Sequence, residues 1–115
     1  MLREMGNVIY LATEPIDMRK SIDALSLLVS VEFEADPGSG NWFVFYNRGR
    51  DKIKMLYFDR NGFVLFYKRL EKGRFILLDS KDRLCAISHL ELQGLLAGVD
   101  IKKFKIPKKL QYSAW

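Results

Sequence analysis

Four cations, Lys68, Arg69, Lys72 and Arg74, fall within seven positions of this 115-residue chain, with Glu71 the only acid among them. Four more, Arg48, Arg50, Lys52 and Lys54, lie a short way upstream. Clustered ammonium and guanidinium groups neutralise phosphate well, and Arg does so through a planar fork of donors. Trp42, Tyr46 and Tyr67 are interleaved with these cations. Sheet faces that bind nucleic acid combine rings for stacking with cations for the backbone. The alternative is that the rings form a core and the cations its solvated rim, and both readings stay open at this point.

For catalysis the inventory is short. Cys85 and His89 are the single cysteine and the single histidine, four positions apart and without an evident third group. An activated nucleophile needs a base, and the base needs an orienting partner. The simpler assignment gives Cys85 to the core and His89 to the first turn of a helix. Glu14, Asp17 and Asp23 could ligate Mg²⁺, but acids around a helix start more often act as caps and dipole partners. Gly38-Ser39-Gly40 lacks the Lys and Ser/Thr of a phosphate-binding P-loop. These residues point to a protein that is not an enzyme and that uses neither a metal nor another cofactor.

A lone cysteine allows no internal disulfide and fits a reducing compartment. No apolar run approaches the roughly 20 residues that span a bilayer, so a cytoplasmic protein without a membrane partner is expected. The length suits one domain. Residues 1–100 are assigned to it, and residues 101–115, with five lysines and no acid, to a basic tail that is extended or partly disordered. The net charge of +5 is sorted along the chain: −4 over residues 1–41, +6 over 42–75, −2 over 76–100 and +5 over 101–115. Such a field suits a polyanion, although excess Lys and Arg also serve solubility.

The elements that must position the cations follow from hydrophobic period and turn chemistry. Val8 to Ala12 reads as a strand, ended by Thr13-Glu14-Pro15. Asp17 stands as an N-cap before Met18, Ile22, Leu25 and Val29, whose spacing predicts a helix from about Met18 to Val31. The turn-rich stretch from Asp36 to Asn41 leads into strands at Trp42–Tyr46 and Lys52–Asp59. Asn61-Gly62 is a hairpin signal that pairs Arg60 with Phe63, and hence Lys54 with Arg69. Those two cations would repel unless Glu71 or a bound phosphate lay between them. One face of this hairpin, with Ile53, Met55, Tyr57, Val64, Phe66 and Leu70, is expected to pack on the helices. The other carries Lys52, Lys54, Leu56, Phe58, Phe63, Leu65, Tyr67 and Arg69. Arg74 to Leu78 reads as a further strand, and Ser88-x-x-Glu91 as a capping box opening a helix from His89 to Ala97, stopped by Gly98. The expected fold class is α+β: an antiparallel β-meander of about five strands with two helices packed on one face.

Asp17-Met18-Arg19-Lys20, Asp51-Lys52-Ile53-Lys54, and above all Tyr67-Lys68-Arg69-Leu70-Glu71 with Gly73-Arg74-Phe75 resemble blocks of the small accessory protein, Orf2 or TnpB-type, of the bacterial insertion sequence sixty-six transposon family. The resemblance covers about residues 8 to 100. It implies a non-catalytic accessory factor encoded beside a separate transposase, and it supplies no catalytic residues and no cofactor. Together with the charge pattern it suggests binding to DNA at the element ends, or to the transposase–DNA complex. The candidate contacts are Arg19, Lys20, Arg48, Arg50, Lys52, Lys54, Tyr67, Lys68, Arg69 and Arg74. The alternative is a protein–protein adaptor that binds the transposase without touching DNA. Self-association is also open.

Overall fold

In the computed structural model, which describes residues 7–103, all five side chains of β2 (Trp42–Tyr46) are buried. A strand of five consecutive large apolar residues has core on both sides. Trp42, Val44 and Tyr46 belong to one apolar cluster, which includes Leu92 and Leu95 of α2 (His89–Leu96). Phe43 and Phe45 belong to another, with Leu25 and Val29 of α1 (Ile22–Val31). The two helices therefore lie on opposite faces of the sheet, not on one face as the sequence suggested.

The sheet has the order β4-β3-β2-β1-β5, with β1 at Ile9–Ala12, β3 at Lys52–Asp59, β4 at Gly62–Arg69 and β5 at Leu84–Ile87. The class is α+β with five strands and two helices, but the sheet is mixed: β1 runs parallel to β2, Ile9 beside Trp42, while the other three pairings are antiparallel. A parallel pair needs a long crossover, and residues 13–41, which contain α1, supply it. The expected strand at Arg74 to Leu78 does not form. Phe75 and Leu77 are buried from an irregular segment, and the fifth strand is the short Leu84–Ile87.

Three local expectations shift for identifiable reasons. The β3–β4 turn uses Arg60 and Asn61, with Arg60 at φ +54°, so Asp59 pairs with Gly62 and Lys54 with Tyr67. This two-residue slip leaves every side chain on the face expected for it, because the strand period is two. It removes the opposition of Lys54 and Arg69. Helix α1 starts at Ile22, four residues later than expected. The Asp17 carboxylate accepts the Arg19 N–H at 2.9 Å and so closes a turn ahead of the helix. At α2 the capping box forms as expected: Ser88 Oγ accepts the Glu91 N–H at 3.0 Å, and Glu91 accepts the Ser88 N–H at 2.8 Å. Gly98, at φ +82°, ends it, with Gly98 N–H donating to Leu95 O and Val99 N–H to Gly94 O. That is the two-bond Schellman closure.

Ile101, in a 3₁₀ turn at Ile101–Lys103, is buried in the α2-side cluster. The rest of the expected basic tail, residues 104–115, lies outside the described residues. Among the described residues no helix is long and apolar enough to cross a membrane. Replacing Ser88 by Ala removes one reciprocal cap bond and is expected to lower unfolding stability by about 1 kcal/mol, read as a shift in urea midpoint with an unchanged slope.

Candidate nucleic-acid interface

The centre of the basic region is a buried ammonium. Lys54 is 9% exposed, and its Nζ donates to the backbone carbonyls of Met18 and Lys20, both at 2.7 Å. The Tyr67 ring, directly opposite in the β3–β4 register, has its centroid 5.4 Å from the same nitrogen. A cation taken out of water needs such compensation from dipoles and a π face. Lys54 thus fastens the loop before α1 to the sheet and is not available to a partner in this arrangement.

One step along the strands, about 7 Å away, Lys52 pairs with Arg69. Each of these like charges has its own acid: Lys52 Nζ lies 3.3 Å from Asp51, and Arg69 Nε 3.0 Å from Glu71. The Glu71 carboxylate raises the Arg69 pKa further, so that guanidinium stays charged. The adjoining β2–β3 loop is rigid for reasons written in Asn47. Its side-chain oxygen accepts the N–H groups of Asp51 and Lys52, while its amide donates to Asp51 Oδ1 at 2.7 Å. The Asn47 amide is the main cause of the lowered Asp51 pKa. Two further backbone bonds join this loop to the chain after β4: Leu70 N–H to Asp51 O at 2.7 Å and Phe75 N–H to Arg50 O at 2.6 Å.

The result is one corner of the molecule where Arg48, Arg50, Lys52, Arg69, Lys72 and Arg74 come together, with Asp51 and Glu71 ion-paired to two of them and Asp79 and Glu14 acting with Arg50 on the nearby Tyr46 hydroxyl. Among the described residues Arg48, Arg50, Lys72 and Arg74 are exposed and have no ion pair. Tyr67, 51% exposed, borders this corner. Asn47, absent from the sequence-based candidates, is the residue that shapes it. The signal available was an Asn at the head of a tight turn.

The other candidates are placed elsewhere. Lys68 projects from the α2 side and donates to Leu96 O at 2.8 Å, where a cation complements the helix's negative end. Arg19 is tied to Asp17 by a 2.6 Å ion pair, and Lys20 is half-buried beside the Lys54 anchor. The Arg19 bonds hold the Asp17 carboxyl down at about 2. A depressed carboxylate pKa contributes stability above the ordinary carboxylate range and loses it as pH falls through the folded value. A carboxyl NMR titration should therefore place the opening of this exposed turn well below pH 4. Burial pushes the Cys85 thiol pKa up, with Glu91 and Asp82 adding to the effect, the reverse of what an activated thiolate requires. His89 packs edge-on against Trp42 at 5.1 Å. Among the described residues no group of three or more His, Cys, Asp or Glu side chains could hold a metal ion.

Replacing Lys54 by Met leaves two loop carbonyls without their donor and is expected to cost about 2–4 kcal/mol. Arg48→Gln, on the exposed loop, should cost less than about 0.5 kcal/mol. Parallel urea titrations of the two variants check this contrast.

Comparison with known proteins adds an independent line. The sequence model of a family described as IS66 Orf2 like protein matches residues 7–106. Two relatives from Sinorhizobium fredii (strain NBRC 101917 / NGR234) align over most of their length. The uncharacterized protein y4jC is 37% identical over 100 residues, 87% of this chain and 86% of its own. The uncharacterized protein y4hO is 38% identical over 101 residues, 87% of this chain and 88% of its own. No solved structure matches the chain. With the sequence blocks and nearly the whole described fold inside that match, the chain belongs to the IS66 Orf2-like family, whose role is accessory to transposition.

Proposed function

We propose that this protein is a non-catalytic accessory factor that holds DNA at the ends of its insertion sequence, alone or in the transposase–DNA complex. The contact surface is the corner built from Arg48, Arg50, Lys52, Arg69 and Arg74. The observation that carries this reading is the convergence of two exposed basic loops, joined by the Phe75-to-Arg50 and Leu70-to-Asp51 backbone bonds. Among the described residues, Arg48, Arg50 and Arg74 have no acid partner and keep their full capacity for phosphate. Tyr67 offers a ring beside them for stacking or for packing on the sugar. Arg19 and Lys20 lie on the α1 side of the same sheet end and extend the surface. Lys54 and Lys68 contribute field and scaffold, because their ammonium groups are engaged by carbonyls.

Five phosphate contacts would make log K fall against log salt with a slope of about −4 to −5 on duplex DNA. Fluorescence anisotropy with labelled terminal inverted-repeat DNA over a salt series reads this slope. The Arg69→Gln/Arg74→Gln double variant should reduce its magnitude by about 2 without changing the fold. A flat salt response, or no binding at low salt, would sink the direct-contact reading. In that case, co-purification of the transposase that survives nuclease treatment and is lost in the same double variant would assign the corner to a protein adaptor.

A further inference from the structure

Among the described residues the β4 strand, Gly62–Arg69, ends the sheet and pairs only with β3. In a two-residue hairpin the flanking pair, Asp59 and Gly62, turn their backbone groups toward each other. Leu70, whose N–H donates to Asp51 O, continues that even-numbered ladder. The odd-numbered residues Phe63, Leu65, Tyr67 and Arg69 therefore turn their N–H and C=O groups outward. Edge strands are normally guarded by a Pro, a bulge, inward charges or a covering segment. Here the register with β3 is unbroken over eight pairs, the middle five residues are Phe63-Val64-Leu65-Phe66-Tyr67, and cations enter only at the far end. Phe66, 37% exposed, also lines an open apolar groove of about 440 Å³ between β4 and α2.

We propose that a second copy of this chain covers the edge, with β4 pairing antiparallel to β4 about a two-fold axis at Leu65, so that the two sheets become one. Opposed residues in a sheet share a face, which restricts the registers, and the sequence distinguishes among them. Centred on Leu65, Phe63 meets Tyr67 of the other copy and Val64 meets Phe66, so apolar side chains face apolar ones throughout. Lys68 then lies opposite Gly62 of the other copy, with Asp59 on the next strand of the same face. Centred on Phe66, the pairing sets Val64 against Lys68 and Phe63 against Arg69. Centred on Val64, it sets Arg60 against Lys68. Of these three registers, the one centred on Leu65 keeps the strand's cations away from both apolar groups and other cations. Outward N–H and C=O groups at Phe63, Leu65 and Tyr67 would supply roughly six new backbone hydrogen bonds. The interface takes in Tyr67 and the end of β4, whereas Arg48, Arg50, Lys72 and Arg74 lie on loops outside the paired strands, and it does not depend on whether those cations bind DNA.

Sedimentation velocity of the full chain at tens of micromolar in high salt tests this, with far-UV circular dichroism as the check on folding. The wild type should sediment as a dimer. Leu65→Pro removes an outward N–H that no bond within the sheet uses and should yield a folded monomer. Phe66→Lys sets a cation against Val64 of the other copy and should do the same, which keeps the test intact if the proline variant does not fold. A monomeric wild type overturns the proposal. So does a dimer that survives in a folded Leu65→Pro or Phe66→Lys variant. Loss of the dimer on Leu27→Lys alone, at the exposed apolar face of α1, would assign association to that helix and overturn it equally.

Discussion

The buried ammonium of Lys54 is the interaction on which the arrangement of this molecule depends. An ammonium inside a protein is tolerated only when dipoles replace its water, and here two main-chain carbonyls and a tyrosine ring do so. The carbonyls belong to Met18 and Lys20, in the connection that must cross from β1 to α1. The ring belongs to Tyr67 on the edge strand. One side chain therefore joins the crossover, a central strand and the edge of the sheet. The three sequence blocks that carry the family resemblance, DMRK, DKIK and YKRLE, meet at this nitrogen. Their shared residues describe a structural joint before they describe a binding surface.

With α1 held over one face and α2 over the other, the sheet is enclosed where its strands are central. This accounts for the wholly buried β2 and leaves the sheet itself reachable at its margins. Beside the β5 edge, two margins stand out: the loop end where β2–β3 meets the chain after β4, and the open edge of β4. They differ in chemistry. The loop end is cationic and polar, with its backbone groups satisfied by Asn47 and by bonds to Leu70 and Phe75. The edge is apolar and has backbone groups to spare. A polyanion suits the first and a strand suits the second, so the two margins do not compete for one ligand.

Much of this was legible in the residues. Period-two patterning assigned Ile53, Met55, Tyr57 and Val64 to one face and Leu56, Phe63 and Leu65 to the other, and the clusters agree. Ser88 and Glu91 marked the start of α2, and Gly98 its end. What failed was nonlocal. Nothing near β1 states that its neighbour will be parallel, since pairing direction is decided by where the crossover helix packs. The signal that was present, five consecutive apolar residues in WFVFY, means core on both faces and should have placed the helices on opposite sides. The hairpin register failed locally. Asn61-Gly62 favours a turn with those two residues at its centre, yet Arg60 takes the left-handed position and Gly62 becomes the first residue of the strand.

That slip changes the electrostatic argument as well as the geometry. In the expected register Lys54 opposes Arg69, a clash that either Glu71 or a bound phosphate would relieve. In the observed one, Lys54 has carbonyls and a ring, Lys52 has Asp51, and Arg69 has Glu71. The opposed strand cations no longer require a bound anion between them. The case for a polyanion rests on what remains after these pairings: Arg48, Arg50, Lys72 and Arg74, exposed on two loops that hydrogen bonds hold together. Pre-arranged cations lose little conformational freedom on meeting a phosphate backbone. For the proposed function, the hydrogen bonds that Asn47 gives the loop would therefore be part of the binding chemistry, because they keep these charges close together despite their repulsion.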